Sequence, residues 1–327
     1  MSTEIVNIYP IRLVFYFAVI MMHLIYQFCR FKMNLLKGII CSVLFIINTI
    51  VMVSLLLVFA LLKLLLPLPS IGIQLSKILV WIAEMWIQIN SVVHRLVHGN
   101  KITINPLPEL SKNEWYLVVA NHQSTADIPI IQSVFNKKIP FLKFFLKQQL
   151  IWVPFLGLAW WALDFPFMRR YSKSFLAKNP HLKGKDMERT QKACEKFKYF
   201  PTSIINFIEG TRFTVTKHKK QNSPYEYLLR PKAGGIGFVM GAMGRQVKQL
   251  LLVTVCYHKK VPNVWEYLSG NFQGATIKCE KIVIPESLLN KNYQTDEKFK
   301  AELFKWSENL WYKQDEKLKD CYERTDI

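Results

Sequence analysis

His122 and Asp127 stand five residues apart in "VVANHQSTADIPI" (Val118–Ile130). An imidazole beside a carboxylate can take and return a proton. The carboxylate accepts the N–H of one ring nitrogen, which fixes the tautomer and stabilises the cation formed when the other nitrogen is protonated. Inside one regular helix the two side chains would miss, because five steps of about 100° leave them roughly 140° apart. They meet if His122 hangs in a turn and Asp127 opens the helix that follows. Pro129 fits that arrangement, since proline is tolerated in the first helical turn, where its missing N–H has no partner to lose. The spacing therefore predicts a helix starting near Thr125–Asp127. Ser124 and Thr125 offer hydroxyls but are equally natural helix caps, so no protein nucleophile is assigned to the base. Such a base suits direct activation of a substrate hydroxyl. A capping aspartate beside an ordinary loop histidine is the alternative that so short a motif leaves open.

A second constellation lies in "FIEGTRFT" (Phe207–Thr214). A strand ends in Glu209, Gly210 permits a tight turn, and Arg212 projects with Thr211 beside it. A guanidinium next to hydroxyl and backbone donors makes a phosphate clamp; a surface ion pair is the alternative. The net charge is +20, and Pro166–Lys232 holds sixteen Lys/Arg against five Asp/Glu. Such a surface seeks phosphate. The apolar N-terminus favours lipid over nucleic acid, for which no helix-turn-helix, zinc or aromatic single-strand motif is present. The six cysteines, at 29, 41, 194, 256, 279 and 321, form neither a CxxC pair nor zinc spacing. They are expected to be reduced and used as small apolar residues, as in a cytoplasmic catalytic domain.

Both constellations need strands to present them. "WYLVVA" (Trp115–Ala120), "SIINFI" (Ser203–Ile208), "LLLVTVCY" and the alternating "ATIKCEKIVI" (Ala275–Ile284) read as strands. Helical patterns lie between them, among them "GKDMERTQKACEKFKYF" (Gly184–Phe200), and the first helix is expected over about Asp127–Val134. Alternating strands and helices predict an α/β layered domain, with sites at the carboxyl ends of its strands. Phe299, Leu303, Trp306 and Leu310 mark one face of a C-terminal helix. Upstream, Leu35–Leu66 carries only Lys37 and Lys63 as charges and exceeds the roughly 20 apolar residues that cross a bilayer. Leu13–Cys29 is a shorter apolar run, and Met33 opens a plausible shorter chain. The expected organisation is a membrane region of one or two hydrophobic helices over 1–72, an amphipathic connecting helix over 73–99 and the α/β domain over 100–327. The apolar stretch Phe141–Phe167 serves either as core or as a surface dipping into the headgroup zone.

The sequence resembles the membrane-bound glycerolipid acyltransferases, and most closely the bacterial 1-acylglycerol-3-phosphate (lysophosphatidate) acyltransferases. The resemblance rests on "NHQSTADI", "FPFMRRYSKS", "NFIEGTRFT" and "LLRPKAGGIGF" and covers roughly Trp115–Tyr257. One block departs: the family usually carries a proline in the strand where this chain has "LLLVTVCYHKK". The resemblance implies transfer of a fatty acyl group from acyl-CoA or acyl carrier protein to the free hydroxyl of 1-acylglycerol 3-phosphate, giving phosphatidate, with no cofactor and no metal. Another lysophospholipid or glycerol 3-phosphate are alternative acceptors, and a non-catalytic protein binding anionic lipid is the alternative to an enzyme. His122 would be the general base and Asp127 its orienting acid. Glu209 and Arg212, with Gly210 and Thr211 between them, would hold the glycerol phosphate. Arg169, Arg170 and Lys232 would add phosphate or donor contacts. The oxyanion donors would be backbone N–H groups just after His122, or the arginines. The expected location is the bacterial inner membrane with the catalytic domain facing the cytoplasm. The expected partners are membrane lipids and the acyl donor.

Overall fold

The computed structural model describes residues 9–66, 68–168, 178, 179, 197, 200–289, 291, 293 and 296–325. The expected connecting pattern Gly184–Phe200 lies almost wholly outside them.

Helix α1 (Tyr9–Leu65) runs through both apolar stretches without a break. Arg30, Lys32 and Lys37 do not interrupt it, because long basic side chains are good helix formers. Helix α2 (Pro69–His98) opens on a proline at its first turn and returns against α1 as an antiparallel hairpin. Polar residues tie the pair together. The Asn48 amide donates to the Trp86 carbonyl (3.1 Å) and to Asn90 Oδ1 (2.8 Å), and the Trp86 indole donates to Thr49 Oγ1 (3.0 Å). The 45 residues Met21–Leu65 and the 30 of α2 are long and apolar enough to cross a bilayer.

The α/β domain is built on a six-stranded sheet. In chain order its strands are β1 (Ile102–Ile104), β2 (Tyr116–Ala120), β3 (Leu142–Phe144), β6 (Ser203–Asn206), β7 (Gln249–Tyr257) and β8 (Ala275–Val283). Their spatial order is β1-β8-β7-β2-β6-β3. All neighbours are parallel except β7 and β8. A separate two-stranded pair joins β4 (Leu146–Lys147) to β5 (Phe167–Met168).

Strand alternation sends side chains to two cores. Leu250, Leu252 and Cys256 face one side with helices α6 (Ala233–Met243) and α8 (Glu297–Thr325). Leu251, Val253, Val255 and Tyr257 face the other with α3 (Asp127–Phe135) and α7 (Val264–Leu268). On α8 the expected seam of Phe299, Leu303 and Leu310 is buried; Trp306 is only partly covered and Trp311 takes the fully buried place.

The same alternation corrects the cysteine expectation. Cys256 points to the α8 side, Cys321 on α8 points back, and the two form a disulfide with Cα atoms 6.5 Å apart. Nothing in the spacing of the two residues signals this, because 65 positions separate them. Cys29, Cys41 and Cys279 are free.

The stretch Phe141–Phe167 has one face packed as core and another left exposed. Ala159, Ala162, Leu163 and Phe165 pack with Val53, Leu56, Leu79 and Ile82 of the hairpin. The opposite face of helix α4 (Leu156–Ala162) and the turn before it expose Trp152 (84%), Phe155, Leu158 and Trp161.

Candidate active site

Strands β2 and β6 are parallel, with Val119 beside Asn206. Parallel neighbours end at the same sheet edge, so the offset that takes Val119 to Asn206 also takes His122 to Glu209 and Thr125 to Arg212. Both pairs touch. The His122 backbone N–H donates to Glu209 Oε1 at 3.0 Å, and Arg212 Nη1 donates to Thr125 Oγ1 at 2.8 Å. The Phe213 N–H donates to the His122 carbonyl at 2.7 Å. The second motif thus clamps the backbone of the histidine on both sides. Its ring lies on Phe207, with centroids 4.1 Å apart and planes 20° apart.

Asp127 is the first residue of α3 and is fully buried. Its Oδ2 accepts from His122 Nδ1 (2.8 Å) and from the backbone N–H groups of Gln123 (2.8 Å) and Ser124 (2.9 Å). Its Oδ1 accepts from the Tyr257 hydroxyl at 2.6 Å. The tautomer follows: with Nδ1 donating to Asp127, Nε2 is left as the basic nitrogen. No hydrogen bond among the described residues occupies Nε2. The His122 side chain keeps 16% of its surface open. The backbone N–H groups of Gln123 and Ser124, candidates for oxyanion donors, are instead turned onto Asp127.

Glu209 differs from its expected role. It is fully buried, and its Oε2 accepts the Leu229 N–H at 3.1 Å while Oε1 holds His122. With both oxygens engaged by backbone, it ties two loops together and does not face outward to a ligand. Burial pushes its carboxyl up to about 8, outweighing the two N–H donors that favour the ionised form. Gly210 adopts φ +70° under the Lys232 side chain, and that left-handed turn calls for glycine.

The cations sit at the rim. Arg212 is exposed. Lys232 is the exposed N-cap residue of α6, with its N–H bonded to the Ile208 carbonyl at 2.7 Å and its side chain over Gly210. Thr211 Oγ1 accepts from Lys217 Nζ at 2.8 Å, and the same ammonium reaches the Arg212 carbonyl at 2.9 Å. Lys217, on helix α5 (Val215–Gln221), was not singled out by sequence, where it reads as one of a run of solvated charges. Arg169 and Arg170 lie outside the described residues.

Apolar space adjoins the dyad loop. A cavity of about 290 Å³ touches Thr125 and Ala126 and is walled by Phe45 and Leu268. A second, of about 310 Å³, reaches Phe141 and Leu163 between the hairpin and α4. The two share Trp86, Ile128 and Gln132 in their walls.

Residues 101–258 match the family model described as Acyltransferase. Among solved structures the chain is similar to the 1-acyl-sn-glycerophosphate (LPA) acyltransferase, PlsC, from Thermotoga maritima. The match has a TM-score of 0.53 and 20% identity, over 89% of this chain and 98% of that one. That likeness is one of fold. No curated protein matches the sequence.

Proposed function

We propose, from the match of residues 101–258 to the Acyltransferase family model, that the chain moves a fatty acyl group from acyl-CoA or acyl carrier protein to the free hydroxyl of 1-acylglycerol 3-phosphate. The observation that carries this reading is the dyad itself: a histidine tautomer fixed by a buried carboxylate, its other nitrogen unoccupied among the described residues, on a loop whose Thr125 touches both Arg212 and an apolar cavity. The Thermotoga maritima protein's description as an LPA acyltransferase supports the same acceptor.

In this reading His122 Nε2 takes the glycerol hydroxyl proton as the oxygen attacks the thioester carbonyl. Asp127 stabilises the imidazolium. The tetrahedral intermediate then collapses, the C–S bond breaks, and the imidazolium returns its proton to the departing thiolate. Arg212 and Lys232 at the rim complement the acceptor phosphate. Glu209, Gly210 and Thr211 shape the loop that carries Arg212. The paired cavities fit an acyl chain, since ligand pockets of this size are mostly apolar with few polar groups at one end. The exposed apolar faces of α1, α2 and α4 suit insertion into a membrane, from which both lipid substrate and product would exchange.

The test is thiol release from acyl-CoA by the purified protein in lipid vesicles, offered lysophosphatidate, other lysophospholipids or glycerol 3-phosphate. Lysophosphatidate is expected to give the fastest release. His122→Ala is expected to lower the rate by about 10²–10⁴-fold with unchanged membrane binding. Undiminished turnover by that variant would remove the dyad from the mechanism, and faster release with another acceptor would reassign the substrate.

A further inference from the structure

The dyad has a third member that no motif announces. Tyr257 is the last residue of β7, which pairs with β2 so that Ala120 lies beside Val253. Alternation along β7 turns Tyr257 to the α3 side, and its hydroxyl reaches Asp127 Oδ1 at 2.6 Å. Both side chains are closed off, with Tyr257 1% exposed and Asp127 0%. The carboxylate's two oxygens are unequally served. Oδ2 takes His122 Nδ1 and two backbone N–H groups. Among the described residues Oδ1 takes only the phenol.

We infer that Tyr257 is a positioning residue that sets how strongly the His122–Asp127 pair holds its proton. The inference rests on the reading of His122 as the general base. A hydroxyl aimed at a buried carboxylate draws off part of its charge, and so weakens the carboxylate's pull on the imidazolium. Without that donor the pair binds its proton more tightly, and the base is free to act only at higher pH. The phenol keeps its proton throughout. Burial first, and then the neighbouring Asp127 charge, push its ionisation well above the usual range for tyrosine.

Other groups surround the pair. The Glu209 carboxylate lies behind the His122 backbone, and Lys217 on α5 is near it. Tyr267 on α7 faces Tyr257. Tyr322 on α8 donates to Gln123 Oε1 at 3.2 Å, and Arg212 is bonded to Thr125. These are common to wild type and to a Tyr257 variant, so a difference between the two profiles isolates the phenol.

The experiment is the pH profile of kcat/KM for acyl-CoA thiol release, in wild type, Tyr257→Phe, and protein carrying 3-fluorotyrosine at position 257. Phenylalanine keeps the ring and removes the donor. Fluorotyrosine keeps the shape and donates more strongly. The acid limb is expected to move up by about one pH unit in Tyr257→Phe and down in the fluorinated protein. On the acid limb, kcat in Tyr257→Phe is expected to fall by up to about tenfold, the limit a one-unit shift implies, and to recover at alkaline pH with KM little changed. A ring that only fills space would not produce opposite shifts. Superimposed acid limbs in all three proteins, with His122→Ala inactive, would overturn the role of Tyr257 alone. Activity in His122→Ala would overturn the reading of the base beneath it. If Tyr257→Phe does not fold, the fluorinated protein decides, and an unmoved limb there refutes the inference.

Discussion

Around Asp127 the carboxylate has a donor on each oxygen, whereas along α1, α2 and α4 large apolar side chains face outward with none. The first region is a closed polar network of His122, Asp127, Tyr257 and Glu209 with the backbone of two loops. The second exposes Trp152, Phe155, Leu158 and Trp161 beside the long apolar faces of the hairpin. The two regions solve different problems. A buried charge must be fully hydrogen-bonded, because one missing partner costs more than a typical bond contributes. An apolar face needs no directional partner and can wait for lipid. Directional bonds over-determine the geometry of the first region, and the apolar faces of the second carry no such constraint.

Four outcomes test that contrast, taken from the largest effect down. Asp127→Asn leaves the shape but presents an amide N–H group or its carbonyl where one oxygen now takes three donors. Activity is expected to fall by about 10³–10⁴-fold, as when a triad acid is replaced by its amide; steady-state thiol release checks this, and a loss below tenfold would deny the dyad its role. Cys321→Ser opens a cross-link spanning 65 positions and is expected to cost about 2–4 kcal/mol in a denaturant titration. The bond also bears on compartment, because disulfides persist in oxidising surroundings and are rare in the cytosol. Blocking thiols at lysis and then counting them before and after reduction should reveal two more after reduction. Equal counts would mean that both cysteines are free in the cell.

Glu209→Gln turns a side-chain NH₂ toward a backbone N–H and is expected to cost about 1–3 kcal/mol. The wild-type group also carries a pH signature. Its folded ionisation, up at about 8, lies above the ordinary 4.5. Between those values the unfolded chain binds fewer protons than the native one, so the contribution of Glu209 is complete below pH 4.5 and declines as pH rises to 8. Urea midpoints for wild type and Glu209→Ala should converge across that window, and a constant gap would contradict the shift. The smallest effect belongs to the open region. Trp152→Ser with Trp161→Ser is expected to raise the apparent KM for vesicle-borne lipid about threefold to tenfold, with thermal stability unchanged. A change in melting temperature instead would mean that these rings pack against protein.

Much of the site was legible because its signals are local. The five-residue spacing of His122 and Asp127, with Pro129 behind it, already required a turn followed by a helix start. Gly210 marked a tight turn beside Arg212. The strands announced themselves through runs of Val, Ile and Leu, and the apolar N-terminus through its length. Glu209 shows where local reading stops. Its type and position were plain, but whether it faced a ligand or the protein depended on β2 and β6 lying side by side. The continuous α1 shows it too, since the apolar runs Leu13–Cys29 and Leu35–Leu66 left one helix and two equally open.

By itself the sequence determined which residues lie at strand ends, which helices are apolar, and which side chains can exchange a proton, because each depends on neighbours a few positions away. Only the tertiary structure decided that Tyr257 meets Asp127, that Cys256 meets Cys321, and that Glu209 turns inward. Those contacts join segments 65 to 130 positions apart. Strand order and register choose among such partners, and they emerge only when the whole sheet is packed between its two layers of helices.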